Sequence, residues 1–185
     1  DDGSLDRFIY NGDQELVPIA ESGDVMPDGE DWPAFTTSGG STWIYFRARV
    51  EGGFLRFFLR SDERQWVVQD TDGSLFFFGE VGSGTDAALI SFADDGAERR
   101  FRWNLSSVVD TSGNRVEYRY SQHSGQAYLT HVYWTNPPGD DGSAPTGDFQ
   151  HHAYLEYVDR PDPFVSYVSG FRAETDQVLA AVHVE

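Results

Sequence analysis

The acidic pairs Asp70, Asp72 and Asp94, Asp95 present clustered carboxylates of the kind that hold Ca²⁺. An EF-hand-type loop would need further oxygen ligands and a Glu at its twelfth position, which the sequence lacks. Asp-Gly turns explain the same residues through a backbone need. His151 and His152, with Asp148 close in sequence, suggest a Zn²⁺ site. Neighbouring residues on a strand point to opposite faces, so both imidazoles reach one ion only if the segment is irregular. No Gly-x-Ser-x-Gly elbow is present, and a phosphate-binding Gly-x-x-x-x-Gly-Lys is ruled out because the chain has no Lys. Arg99, Arg100 and Arg102 read as a solvated face paired with nearby acids. Trp43, Trp66, Trp103 and Trp134, with the run Phe76-Phe78, could stack on sugar rings, with Trp66 and Trp134 the first candidates. The competing reading is a core, since Phe101, Trp103 and Leu105 alternate with Arg100, Arg102 and Asn104. No catalytic, cofactor-binding or metal-ligating residues are therefore expected.

The elements that would carry these residues read as antiparallel β structure throughout, with at most a helical turn or two. Aromatics make up 15% of the chain and there are 19 Gly, a composition suited to pleated, half-buried surfaces joined by tight turns. Asn11-Gly12 between Phe8-Ile9-Tyr10 and Glu15-Leu16-Val17 is a type I′ hairpin signal. Gly52-Gly53 and Asp72-Gly73 mark two more turns, and Asp94-Asp95-Gly96 another. Arg99 to Leu105 reads as one strand leading into Val108-Val109. Asp110-Thr-Ser-Gly113-Asn114 turns the chain, and Val116, Tyr118 and Tyr120 then alternate with Arg115, Glu117 and Arg119. That period of two places charges on one sheet face and aromatic and β-branched groups on the other. Ser124-Gly125 breaks the run and Tyr128 to Trp134 pairs back. Residues 136–148 are loop by composition, and 21–41 holds a candidate sub-boundary in what is otherwise a single all-β segment, 1–185. Two last strands, His152 to Val158 and Gln177 to Val184, are expected on either side of a Pro-rich connection.

The bulk numbers limit partners more than fold. The net charge is −18 from 31 acidic and 13 basic residues, all the latter Arg, which disfavours nucleic acid and anionic lipid. A GC-rich genome and adaptation to high salt both account for that balance. There is no cysteine, and no apolar run approaches the ~20 residues of a membrane span. The start, Asp1-Asp2-Gly3-Ser4, lacks Met and a basic region and suggests a piece of something longer.

The spacing Asp110…Gly113-Asn114…Tyr118-x-Tyr120…Gly125…Tyr128-Leu129 resembles one unit of the Rhs (YD-repeat) family. A longer series adds to it. Arg7-Phe8-Ile9-Tyr10…Glu15-Leu16-Val17-Pro18 comes first, then Trp66…Asp72-Gly73…Phe78-Gly79 and Trp103-Asn104-Leu105. Tyr157…Arg160-Pro161-Asp162…Tyr167…Gly170-Phe171 closes it. Together these resemble the N-terminal part of the B subunit of insecticidal toxin complexes and of virulence-plasmid B (SpvB-type) proteins. The resemblance implies a segment of a hollow β shell that encloses a toxic polypeptide. It further implies neighbouring shell elements or toxin-complex subunits as partners, and a secreted or surface location on a bacterium or archaeon. Within it, Asp110, Gly113, Asn114, Tyr118, Tyr120, Gly125, Arg160, Pro161 and Asp162 would be structural turn and repeat positions. Two activities of these families find no counterpart: the Glu-x-Glu of ADP-ribosyltransferases is absent, and Asp162-Pro163 is followed by Phe164-Val165, not by the Gly of the self-cleaving aspartyl site. The alternative function is a free-standing β-sandwich that binds glycan or a surface partner.

Overall fold

In the computed structural model, residues 7–20, 34–80, 87–94, 96–135 and 149–185 are described. The expected loop at 136–148, most of the candidate sub-boundary at 21–41, and Asp95 lie outside them. Among the described residues there are fourteen β-strands and no helix. The chain forms two compact units, residues 1–75 and 76–185.

In the first unit, β1 (Phe8–Tyr10), β2 (Gln14–Pro18), β4 (Thr42–Ala48), β5 (Arg56–Arg60) and β6 (Gln65–Gln69) lie side by side, and β3 (Ala34–Thr36) pairs with the start of β4. Alternation decides what is buried. Ile44, Phe46 and Ala48 turn inward from β4, opposite Leu59, Phe57 and Leu16 on the flanking strands. Trp66 and Val68 of β6 continue the same rows. The sheet curls until Phe8, on β1, meets Trp66 at 5.1 Å and Phe46 at 5.6 Å, both edge-on. Each such side chain removed from water contributes about 1.5–3 kcal/mol, so this curled aromatic core dominates the stability of the unit.

Local turn chemistry behaves as expected at Asn11-Gly12, where φ is 51° and 88°, as a type I′ turn requires. The Asp70 turn is held by its own side chain, whose Oδ1 accepts from the backbone N–H of Asp72, Gly73 and Ser74 at 3.0–3.1 Å. After Gly52-Gly53 the return strand begins only at Arg56, and it is Phe54 that takes a positive φ of 52°.

The second unit holds β7 (Leu75–Gly79), β10 (Leu105–Val109), β11 (Arg115–His123), β12 (Gln126–Trp134), β13 (His151–Ser166) and β14 (Ala173–Val184) in that spatial order. A separate hairpin, β8 (Leu89–Asp94) with β9 (Ala97–Trp103), stands apart from that sheet. Arg99 to Leu105 is thus not one strand. Asn104 interrupts it, bonding Ala88 O through its backbone N at 2.8 Å and its side-chain amide at 3.1 Å, while its own carbonyl accepts from Gly79 N. The chain leaves one ladder at Asn104 and enters another.

A further correction concerns Pro161 and Pro163, which lie inside β13 and do not end it. Between Asp159 and Phe164 the register with β14 shifts, Asp159 opposing Gln177 and Phe164 opposing Thr175. Prolines lack a donor but fit such a bulge, where no ladder bond is demanded of them.

Candidate functional site

The turn that opens β11 is built as its residues suggest. Asp110 Oδ1 accepts from Ser112 N at 2.8 Å and Asn114 N at 2.9 Å, and Oδ2 from Asn114 Nδ2 at 2.7 Å. These bonds, the Asn114 side chain first, hold the Asp110 carboxyl below its ordinary range. Gly113 has a φ of 82° and closes the turn. Tyr118 stands opposite Val132, and Tyr120 donates its hydroxyl to Leu105 O at 2.7 Å. The charged and apolar faces of β11 separate as the alternation requires, but the charged face is hidden at Arg115 and Glu117 and exposed only from Arg119. Arg115 and Glu117 are 7% and 5% exposed, and Glu117 takes the Arg119 guanidinium at 2.6 Å. Arg160 bonds Asp162 at 3.1 Å and lies over the Phe164 ring, a local arrangement beside Pro161 on the bulge of β13.

The aromatic candidates separate. Trp66 is 6% exposed inside the first unit, so it has no free face for a sugar, which corrects that candidate. Trp134 is half-buried and stacks on His151 at 6.0 Å.

Two clusters appear that sequence reasoning did not assemble. The first is at the β11–β12 hairpin tip, where His123 Nδ1 lies 2.9 Å from Asp176 Oδ2 and Ser124 Oγ donates to the same oxygen at 2.7 Å. Ser, His and Asp together suggest a nucleophile set, but the geometry is wrong. The hydroxyl is bonded to the carboxylate and lies 3.4 Å from Nδ1, whereas a relay needs it on the ring nitrogen away from the acid. The cluster is a clamp. It joins the hairpin tip to β14, where Glu174 N also donates to Ser124 O at 2.8 Å. Gly125 makes the approach possible: a Cβ there would lie 3.1 Å from Arg172 O and 3.2 Å from the Phe171 ring. Phe171 in turn packs on Phe92 at 4.5 Å and Phe101 at 5.7 Å, tying in the β8–β9 hairpin. The bond to Asp176 raises the His123 value above the ordinary imidazole range and, together with Ser124, lowers that of Asp176.

The second cluster is an array of rings on the charged face of β12, β13 and β14. Register sets Arg119, His131, Tyr154 and His183 in one cross-strand row, and Glu117, Tyr133, His152 and Glu185 in the next. His131 stacks on Tyr133 at 5.6 Å and packs on Tyr154 at 5.1 Å, and Tyr133 stacks on His152 at 5.6 Å. His152 and His183 reach Glu185 at 3.7 Å and Glu156 at 3.1 Å. His131, His152, Tyr154, His183 and Glu185 line one open depression. Among the described residues no three His, Asp or Glu side chains are spaced to hold a metal ion. Burial, and secondarily the neighbouring His152, push the His131 value down. The only sequence signal for the array was a repeated alternation of ring residues at 131/133, 152/154 and 183, invisible as a group until strand register was known.

The chain can be set beside known proteins on this geometry. The family model described as "Salmonella virulence plasmid 65kDa B protein" matches residues 1–159. No curated protein sequence matches. The N-terminal domain of effector protein SpvB from Salmonella typhimurium strain LT2 superposes with a TM-score of 0.70 at 17% identity, over 97% of this chain and 69% of that one. A chain of the Photorhabdus luminescens Tc holotoxin pore gives 0.67 at 20% identity, over 92% of this chain and 10% of that one. The TcdB2-TccC3-TEV crystal structure gives 0.65 at 19% identity, over 93% and 10%. The chain therefore shares their fold and spans about a tenth of the two toxin-complex chains.

Proposed function

The chain belongs to the Salmonella virulence plasmid 65kDa B protein family, and on that premise we propose that it is a structural segment of a β shell enclosing a toxic polypeptide. The observation that carries this reading is the edge of the second unit. Among the described residues β14 forms a ladder with β13 alone. Along these two strands Leu179, Val182 and Val184 are 45%, 53% and 69% exposed, with Val158, Val178 and Phe164 also in solvent. A long apolar edge of this kind is a template for another strand, and a protein that kept it uncovered would aggregate. In this reading neighbouring shell elements or toxin-complex subunits continue the ladder. The segment performs no catalysis, in keeping with the clamp geometry at Ser124, His123 and Asp176. Its place is in a secreted or surface-delivered assembly. Among the described residues no helix is long and apolar enough to cross a membrane.

Light scattering at increasing salt tests the edge. The −18 charge holds copies apart at ~0.1 M salt, where screening extends over about 10 Å, and far less at ~1 M, where it is about 3 Å. Association should rise with salt and disappear in the Leu179→Lys, Val182→Lys double variant. A monomer at every salt concentration overturns the reading, and glycan binding lost on Trp134→Ala would put a sugar-binding module in its place.

A further inference from the structure

Among the described residues no carboxylate stands beside the His131 ring to take up its proton's charge. From β11 its cross-strand neighbour is Arg119, whose guanidinium is bound to Glu117 at 2.6 Å. On β12 it faces Tyr133. From β13 come His152, with ring centroids 6.4 Å away, Tyr154, and Glu156 further along. From β14 come His183 and Glu185. The acids of this set point to other partners: Glu117 holds Arg119 at 2.6 Å, Glu156 lies 3.1 Å from the His183 ring and Glu185 3.7 Å from the His152 ring. His131 has no such carboxylate beside its ring among the described residues, so protonating it adds a charge that no acid there answers. Protonation would place a cation among three aromatic or imidazole rings on the same face as Arg119, in a site that withdraws it partly from solvent.

We propose that His131 is an acid-sensitive latch on the β12–β13–β14 ladder, closed while its imidazole is neutral and loosened when it is protonated. The opposite end of the same ladder responds with the opposite sign, because protonation makes the His123–Asp176 contact an ion pair. The unfolded chain takes a proton at ~6.5. Native His131 takes it lower, so its end is stable above that value and weakens as pH falls through it towards the native value. Native His123 takes it higher, so the contribution of its ion pair with Asp176 is fully present below ~6.5 and is lost as pH rises through the native value, while the Ser124 bonds of the clamp remain. The two effects oppose each other in any global melting curve, and only a local measurement separates them. The pH of the surrounding compartment would then decide which end of the outer ladder is firm. This inference does not depend on the shell reading.

Hydrogen exchange by mass spectrometry at about pH 7.5 and 5.5, corrected for intrinsic chemical rates, reads both ends of the whole chain. Acid should reduce protection several-fold in residues 126–134 and 151–156, and increase it in 119–125 and 173–177. In His131→Gln the first change should vanish while the second remains. Should that variant fail to fold, the wild-type imidazole titration by NMR decides: His131 titrating below ~6.5 supports the latch, and at or above it overturns it. Acid-insensitive protection in 126–134, or an equal acid response in a folded His131→Gln, overturns it as well.

Discussion

Replacing Gly125 with alanine should cost the protein several times more than replacing Gly170, although the two share nearly the same φ. Their φ angles are 80° and 81°, so both substitutions meet the same left-handed strain, about 1 kcal/mol. They differ in what a Cβ would touch. At Gly170 nothing lies within 4 Å, whereas at Gly125 Arg172 O, Phe171 Cε2 and Ala173 Cα stand at 3.1, 3.2 and 3.3 Å. Two of those atoms are backbone at the start of β14, so relief means moving that strand. The bond from Glu174 N to Ser124 O, 2.8 Å, and the Asp176 clamp would stretch with it. Overpacking of this kind costs about 1–3 kcal/mol. Gly125→Ala should therefore destabilise by about 2–4 kcal/mol against about 1 for Gly170→Ala. At roughly 2–4 °C per kcal/mol for a chain of this size, the Tm should fall by ~6–12 °C and ~3 °C respectively. Thermal unfolding by circular dichroism measures both, and exchange of the Glu174 amide should speed up in the first variant alone. Equal Tm shifts would refute the close approach and reduce Gly125 to an ordinary turn glycine.

Trp66→Ala removes the ring against which Phe8 and Phe46 pack and should cost about 3–5 kcal/mol by chemical denaturation, well above the effect of Trp134→Ala. Asp110→Ala should lower the Tm at neutral pH. Because the native carboxyl is held below its ordinary range, the difference from wild type should be full above about pH 4 and close as pH falls through the native value. Esterase and protease assays on the purified chain should show no turnover, and reproducible turnover lost in Ser124→Ala would show that the hairpin-tip clamp is a nucleophile set.

Much of the fold was legible because its signals are local. A turn at Asn11-Gly12 or Gly113-Asn114 is decided by which residues tolerate positive φ and which side chains can bond the next few N–H groups, and both are properties of about five consecutive residues. The inward rows of Ile44, Phe46, Phe57 and Leu59 follow from a period of two, and the order of weak motifs sufficed for the resemblance. Where competing local rules met, the reading failed. Prolines at 161 and 163 signal an end to a strand, yet β14 offers a bulge that needs no donor from them. Arg99 to Leu105 alternates like one strand, yet Asn104 finds carbonyl and amide partners 16 and 25 residues away and divides it.

The array of His131, His152 and His183, and the clamp of His123, Ser124 and Asp176, belong to tertiary structure alone. A strand's own sequence dictates which side chains share its face, but not which residue of another strand stands opposite. A shift of one residue in the β12–β13 or β13–β14 register would turn His152 or His183 to the other face and leave His131 without them. That register is set by the summed pairing of whole strands and by bulges at Arg119/Tyr120 and Glu156/Tyr157, interactions between segments that no local pattern encodes.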